Sequence, residues 1–99
     1  MTYHEILNAI DTHLTKSKKE YWSDYYIGIT DNINERLHGF HKVPKEGYWF
    51  KWCKADSETI ARDVEKYYLE KGMDGDTGGG DADTVYVYCY EIGPNTKER

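Results

Sequence analysis

The chain predicts one small α+β domain: a three-stranded, mainly antiparallel sheet flanked by about three helices. Two patterns carry that reading. Apolar and aromatic residues alternate with period two at 25–30, 48–55 and 84–92, as half-buried strands require. Elsewhere apolar residues recur at helical spacing behind capping residues. Each strand-to-strand connection then contains a helix or a long loop.

The elements follow in order. Thr2-Tyr3-His4-Glu5 has the form of a capping box. Ile6, Leu7, Ile10 and Leu14 continue it as an amphipathic stripe, giving a helix within 2–14. Residues 25–72 form the core unit. In its first strand Tyr25, Ile27 and Ile29 face one way and Tyr26, Gly28 and Thr30 the other. Gly28 removes a side chain there and invites something close to the backbone. Asn32, with Glu35 three residues on, starts a second helix with Ile33, Leu37 and Phe40 on one face, and Gly39 marks its stop. The second strand, 48–55, ends at Asp56 or Ser57, either of which can cap a third helix. Ile60, Val64, Tyr67 and Tyr68 form that helix's stripe, and Lys71-Gly72 end it. Residues 73–83 read as an acidic, glycine-rich loop, 84–92 as the last strand and 93–99 as a tail.

Composition narrows the function classes. The chain has 99 residues, 38% hydrophobic and 31% charged, which is the balance of a folded domain rather than a disordered one. Thirteen basic against eighteen acidic residues leave a formal charge of −5, which disfavours non-specific nucleic-acid binding without excluding a local basic site. Ten tyrosines and three tryptophans suit pleated surfaces and binding faces alike. No run reads as a membrane span or a signal peptide, and the two cysteines form no CxxC. The expectation is a cytoplasmic protein with reduced, buried thiols and no membrane partner.

Tyr26-Ile27-Gly28, with Arg36 ten residues after the tyrosine, resembles the second half of the GIY-YIG nuclease signature. The strand WFKWCKA and the helix SETIARDVEKYYLEKG, which carries Glu65, continue the match. The resemblance implies a Mg²⁺-dependent phosphodiester hydrolase acting on nucleic acid. Tyr26 would position the attacking water, Arg36 would stabilise phosphate charge and Glu65 would hold the metal. The residue types suit those tasks: a guanidinium fork matches phosphate oxygens, and a hard carboxylate suits Mg²⁺. The first motif, GIY, has no counterpart, since THLTKSKKE is not a strand; nor has the asparagine that the family places after its glutamate helix. A permuted sheet resolves the first gap. Strand 84–92 would lie between 25–30 and 48–55, and one of Tyr86, Tyr88 or Tyr90, with Tyr88 preferred, would replace the missing tyrosine. The alternative is a catalytically degenerate binding module on the same scaffold.

Other signals are weaker. His38 and His41 have a three-residue spacing but straddle the expected helix stop; they are candidate phosphate contacts, with solvated surface histidines as the plainer reading. Asp74, Asp76, Asp81 and Asp83 invite a calcium site, but the EF-hand pattern fails at Gly78 and Val85. Tyr86, Tyr88 and Tyr90 could stack bases or lie packed beneath a helix.

Overall fold

A computed structural model of the chain describes residues 1–75, 83–94 and 96. The first helix, α1, spans Tyr3–Leu14 as expected, and both bonds of its capping box are made: Glu5 N–H donates to Thr2 Oγ1 (3.3 Å) and Thr2 N–H to Glu5 Oε1 (2.8 Å). Strand β1 is Tyr25–Thr30, entered through a short 3₁₀ turn at Trp22–Asp24. A π-helix covers Asn34–Phe40, followed by β2 at Phe50–Lys54, α2 at Glu58–Lys71, β3 at Asp74–Gly75 and β4 at Tyr86–Glu91. Ser57 caps α2 by accepting from Ile60 N–H, and Gly72 closes it with φ 117°, a left-handed conformation that glycine adopts without penalty.

The sheet order is β2-β4-β1-β3. The last long strand is therefore internal, antiparallel to β2 on one side and to β1 on the other. An internal strand must satisfy backbone groups on both edges, and β4 does so along its length. Among the described residues the sheet has four strands rather than three. The extra one, β3, falls within the stretch read as loop and pairs in parallel with only Tyr26 and Ile27. The rest of that loop, 76–82, lies outside the described residues.

Pairing register divides the sheet into two faces. One carries Tyr25, Ile27, Val87, Cys89 and Cys53, and is covered by α1 and α2 through Ile6, Ile10, Ala61, Val64 and Tyr68. The Tyr68 hydroxyl ties the two helices by donating to Asp11 Oδ1 (2.8 Å). The α2 stripe includes Ala61 and Glu65 among its buried positions, while Ile60 and Tyr67 flank it. The second face carries Tyr26, Gly28 and Thr30 from β1, Tyr86, Tyr88 and Tyr90 from β4, and Phe50, Trp52 and Lys54 from β2. Leu37 and Val43 pack over Tyr26, Tyr88 and Tyr90 to make a second core. Both cysteines are free and buried. No helix among the described residues is long and apolar enough to cross a membrane.

Candidate active site

The second face assembles from the TDN turn. Thr30 Oγ1 accepts from Asn32 N–H (3.1 Å), and Asn32 Oδ1 accepts from Glu35 N–H (3.2 Å), so the expected cap forms. The helix it starts differs from expectation. It is π-helical and runs through Gly39, with His41 N–H donating to the Arg36 carbonyl (3.0 Å). The i→i+5 closure has a consequence for side chains. In an α-helix five residues span about 1.4 turns, which would separate Arg36 and His41 around the axis. The wider turn narrows that separation. Lys42 then takes φ 62°, unusual for a residue with a Cβ, and Val43 N–H returns to the Leu37 carbonyl (3.2 Å).

His41 is fully buried, 0% exposed, which overturns its reading as a solvated histidine. Its ring bridges two tyrosines: Nε2 lies 2.8 Å from Tyr88 Oη and Nδ1 lies 2.9 Å from Tyr90 Oη. A neutral imidazole offers one donor and one acceptor, so one hydroxyl donates to the ring and the other accepts from it. Tyr26 stacks on Tyr90 and Tyr88, with ring centroids 5.3 and 6.3 Å away, and against His41 at 4.7 Å. His38 is separate from this cluster. Its Nδ1 pairs with the Val43 carbonyl (2.8 Å) and its ring meets the Phe50 edge.

Tyr88 is the centre of the site. It sits opposite Gly28, and its ring lies over the glycine so closely that a Cβ there would overlap Cζ and Oη and approach Cε1 to 2.9 Å. The glycine of the YIG run is the clearance for this phenol. Burial pushes the Tyr88 hydroxyl well above the ordinary phenol range; a hydrogen bond from Arg36 opposes that shift, and Tyr26 and the Glu65 carboxylate add to it. Arg36, Glu65 and Tyr26 thus all act on this one phenol. Arg36 also rests its guanidinium 4.3 Å over the Phe40 ring. Glu65 is 5% exposed, although it stands on a helix whose apolar side covers the other face. On the same helix Arg62 bonds Glu58 one turn back.

The structure therefore brings Tyr26, Arg36, Tyr88 and His41 together, with the Glu65 charge acting on Tyr88 from α2, and leaves His38 at the side. Sequence reasoning gave Tyr90 no role of its own, although it shares a face with Tyr88 two residues away. It also gave none to Phe40, whose i,i+4 spacing from Arg36 was the available signal. Among the described residues no group of three or more His, Cys, Asp or Glu side chains could hold a metal ion. The donor set near Tyr88 offers one carboxylate, which fits a hydrated hard cation and not a cation caged by protein ligands. In comparisons with protein-family models, curated proteins and solved structures, the chain matches none.

Proposed function

We propose that the chain is a nucleic-acid phosphodiester hydrolase with a permuted GIY-YIG-like site, in which β4 supplies through Tyr88 the tyrosine that the family takes from its first strand. One observation carries this reading: the Tyr88 hydroxyl, seated over Gly28, meets His41 Nε2 at 2.8 Å and a hydrogen bond from Arg36, with Tyr26 stacked beside it. Residues of β1, β4, the π-helix and the chain after it thus gather around one phenol, an arrangement that suits phosphoryl transfer. A half-buried guanidinium beside stacked, buried phenols is the kind of grouping that functional sites assemble.

Each residue has a task in this reading. Arg36 presents its fork to the phosphate and neutralises charge that develops on the equatorial oxygens. Tyr88 is neutral near pH 7 as any phenol is, and burial holds it so to higher pH. It therefore orients water as a hydrogen-bonding phenol and not as a standing phenolate. With Nε2 of His41 as acceptor, Tyr88 passes its own proton to the ring as it takes one from the attacking water. Tyr90 then accepts from Nδ1–H and fixes the tautomer. Tyr26 stacks beneath and holds the ring pair in place. Glu65 is the residue that would hold Mg²⁺, which when bound supplies Lewis-acid stabilisation of the phosphate and leaving oxygen.

The binding-module reading draws on a different observation, the closure of the site. Tyr26 and Tyr88 are each 1% exposed, so a substrate needs the covering π-helix segment to move. Cleavage of single- and double-stranded DNA and RNA with Mg²⁺, comparing wild type with Glu65→Gln, separates the two. The hydrolase reading expects a loss of about two to three orders of magnitude in the variant with an unchanged amide spectrum. It also expects Mg²⁺ to shift NMR signals around Glu65 rather than those of the acidic stretch 74–83. Equal trace cleavage by both proteins, or shifts confined to 74–83, rejects it in favour of the binding module.

A further inference from the structure

We propose that the uncovered corner of the second face is a nucleobase-stacking subsite that takes unpaired bases of a single nucleic-acid strand; this rests on the phosphodiester reading above and names its substrate class. The π-helix and the chain after it cover the sheet at Tyr26, Tyr88, Tyr90 and Phe50. They leave Trp52, Lys54 and Tyr86 outside, at the other end of the same face. Trp52 is 45% exposed, although its cross-strand partner Tyr88 is almost wholly buried.

A lone exposed aromatic needs no explanation. Here exposed Trp52 meets the half-buried Tyr86 edge to face, with the rings 5.8 Å apart. Both line an open cleft of about 380 Å³ whose other walls include Asp31, Asn32, Asn34 and His38. An aromatic floor with amide, carboxylate and imidazole walls suits a flat heterocycle with polar edges. Asp31 makes the cleft a poor seat for phosphate, so a base and not the backbone belongs inside. The Lys54 ammonium lies 5.8 Å from the Tyr86 ring centre, at the rim, where a backbone phosphate would pass.

Position ties the cleft to the catalytic cluster. Trp52 and Tyr88 are direct partners on adjacent strands, and Asn34 of the cleft begins the helix that carries Arg36 two residues later. A base on Trp52 therefore leaves its neighbouring phosphate at the Arg36 end of the face. Stacking requires a free base face, which a paired duplex does not offer. Stacking also depends less on charge than backbone binding does, which reconciles a nucleic-acid ligand with a net charge of −5.

The test uses the whole chain, (dT)10 and a ten-base-pair duplex, in EDTA so that nothing is cleaved. In ¹H–¹⁵N spectra, (dT)10 should move the Trp52 indole and the Tyr86 amide while leaving the Trp22 and Trp49 indoles in place, and the duplex should bind at least several-fold more weakly. Trp52→Ala should weaken (dT)10 binding about tenfold, the scale of one lost base stack, and Trp52→Phe should recover part of it. The remaining amide signals of both variants should be unchanged, which separates lost stacking from lost folding. Four results each overturn the subsite: no shift at Trp52, shifts centred on Trp22, equal duplex affinity, or Trp52 shifts that follow protein concentration without DNA. The last would mean that a second copy occupies the corner. If (dT)10 moves Trp52 but Glu65→Gln cleaves like wild type, the subsite stands and the hydrolase reading falls. If cleavage needs Glu65 but Trp52→Ala leaves KM for (dT)10 unchanged, the reverse holds.

Discussion

Tyr88 and Gly28 are cross-strand partners, and the phenol occupies the volume that a side chain at position 28 would need. The Tyr88 hydroxyl cannot swing aside freely, because His41 holds it at 2.8 Å and Arg36 bonds it as well. Gly28→Ala should therefore destabilise the protein by about 1–3 kcal/mol, as overpacking of a filled core does. Tyr88→Ala in the same chain should remove the clash, so the double variant should be more stable than the sum of single effects predicts. Urea titrations of the four proteins of this cycle measure the coupling. Strict additivity would show that the glycine matters only for backbone freedom.

The internal place of β4 gives a second expectation. Val87 is fully buried between sheet and helices. Val87→Ala should cost about 1–3 kcal/mol in urea unfolding, while Trp52→Ala on the neighbouring strand should cost well under that. Equal losses would place the two side chains in equivalent surroundings, contrary to the burial described.

This placement of β4 was legible in the sequence. The missing GIY strand left β1 and β2 without a common partner, and 84–92 was the one segment apolar enough to fill the gap. The α1 capping box and its stripe were equally plain, because both depend on residues within a few positions of each other. What escaped the sequence depends on distant partners. His41 is bridged by tyrosines 47 and 49 residues away, and nothing next to it in the chain signals burial. The π-helix follows from the same anchoring. Gly39 is a fair local stop signal, yet fixing His41 beneath Tyr88 and Tyr90 carries the helix past it. At two residues, β3 is too short for any period to register. Glu65 was identified by resemblance: spacing from Ala61, Val64 and Tyr68 puts position 65 on the buried side of α2, but it gives no reason for a carboxylate there.

Thiol chemistry gives a third expectation. Burial raises the Cys53 thiol, and it raises Cys89 further, with Glu91 adding to the shift. Reaction requires the thiolate and access to it, and both are suppressed here. Ellman's reagent should modify neither cysteine in the native protein at pH 8 over minutes and both in 6 M guanidinium. Rapid modification of one native thiol would contradict the packing of its strand.

Alkaline titration tests the tyrosine cluster directly. Burial raises Tyr88, and it raises Tyr68, where a hydrogen bond to Asp11 reinforces the shift. A phenol whose folded pKa lies above its unfolded value of 10.0 favours the native state while it stays protonated. Its contribution is complete below pH 10 and is lost as pH climbs from there toward the folded pKa, because the unfolded state then releases a proton that the native state keeps. Stability should therefore be insensitive to these two groups near neutrality and fall steeply above about pH 10. Absorbance at 295 nm should show the exposed phenols ionising first, with the last ones appearing together with loss of the far-ultraviolet dichroism signal. Tyr88→Phe removes one late group, so its alkaline limb should be shallower than that of wild type, whatever its stability at pH 7. If all phenols ionise in one step near pH 10 with the fold intact, Tyr88 is open to solvent, and the buried hydroxyl chain from Arg36 through Tyr88 and His41 to Tyr90 does not exist in solution.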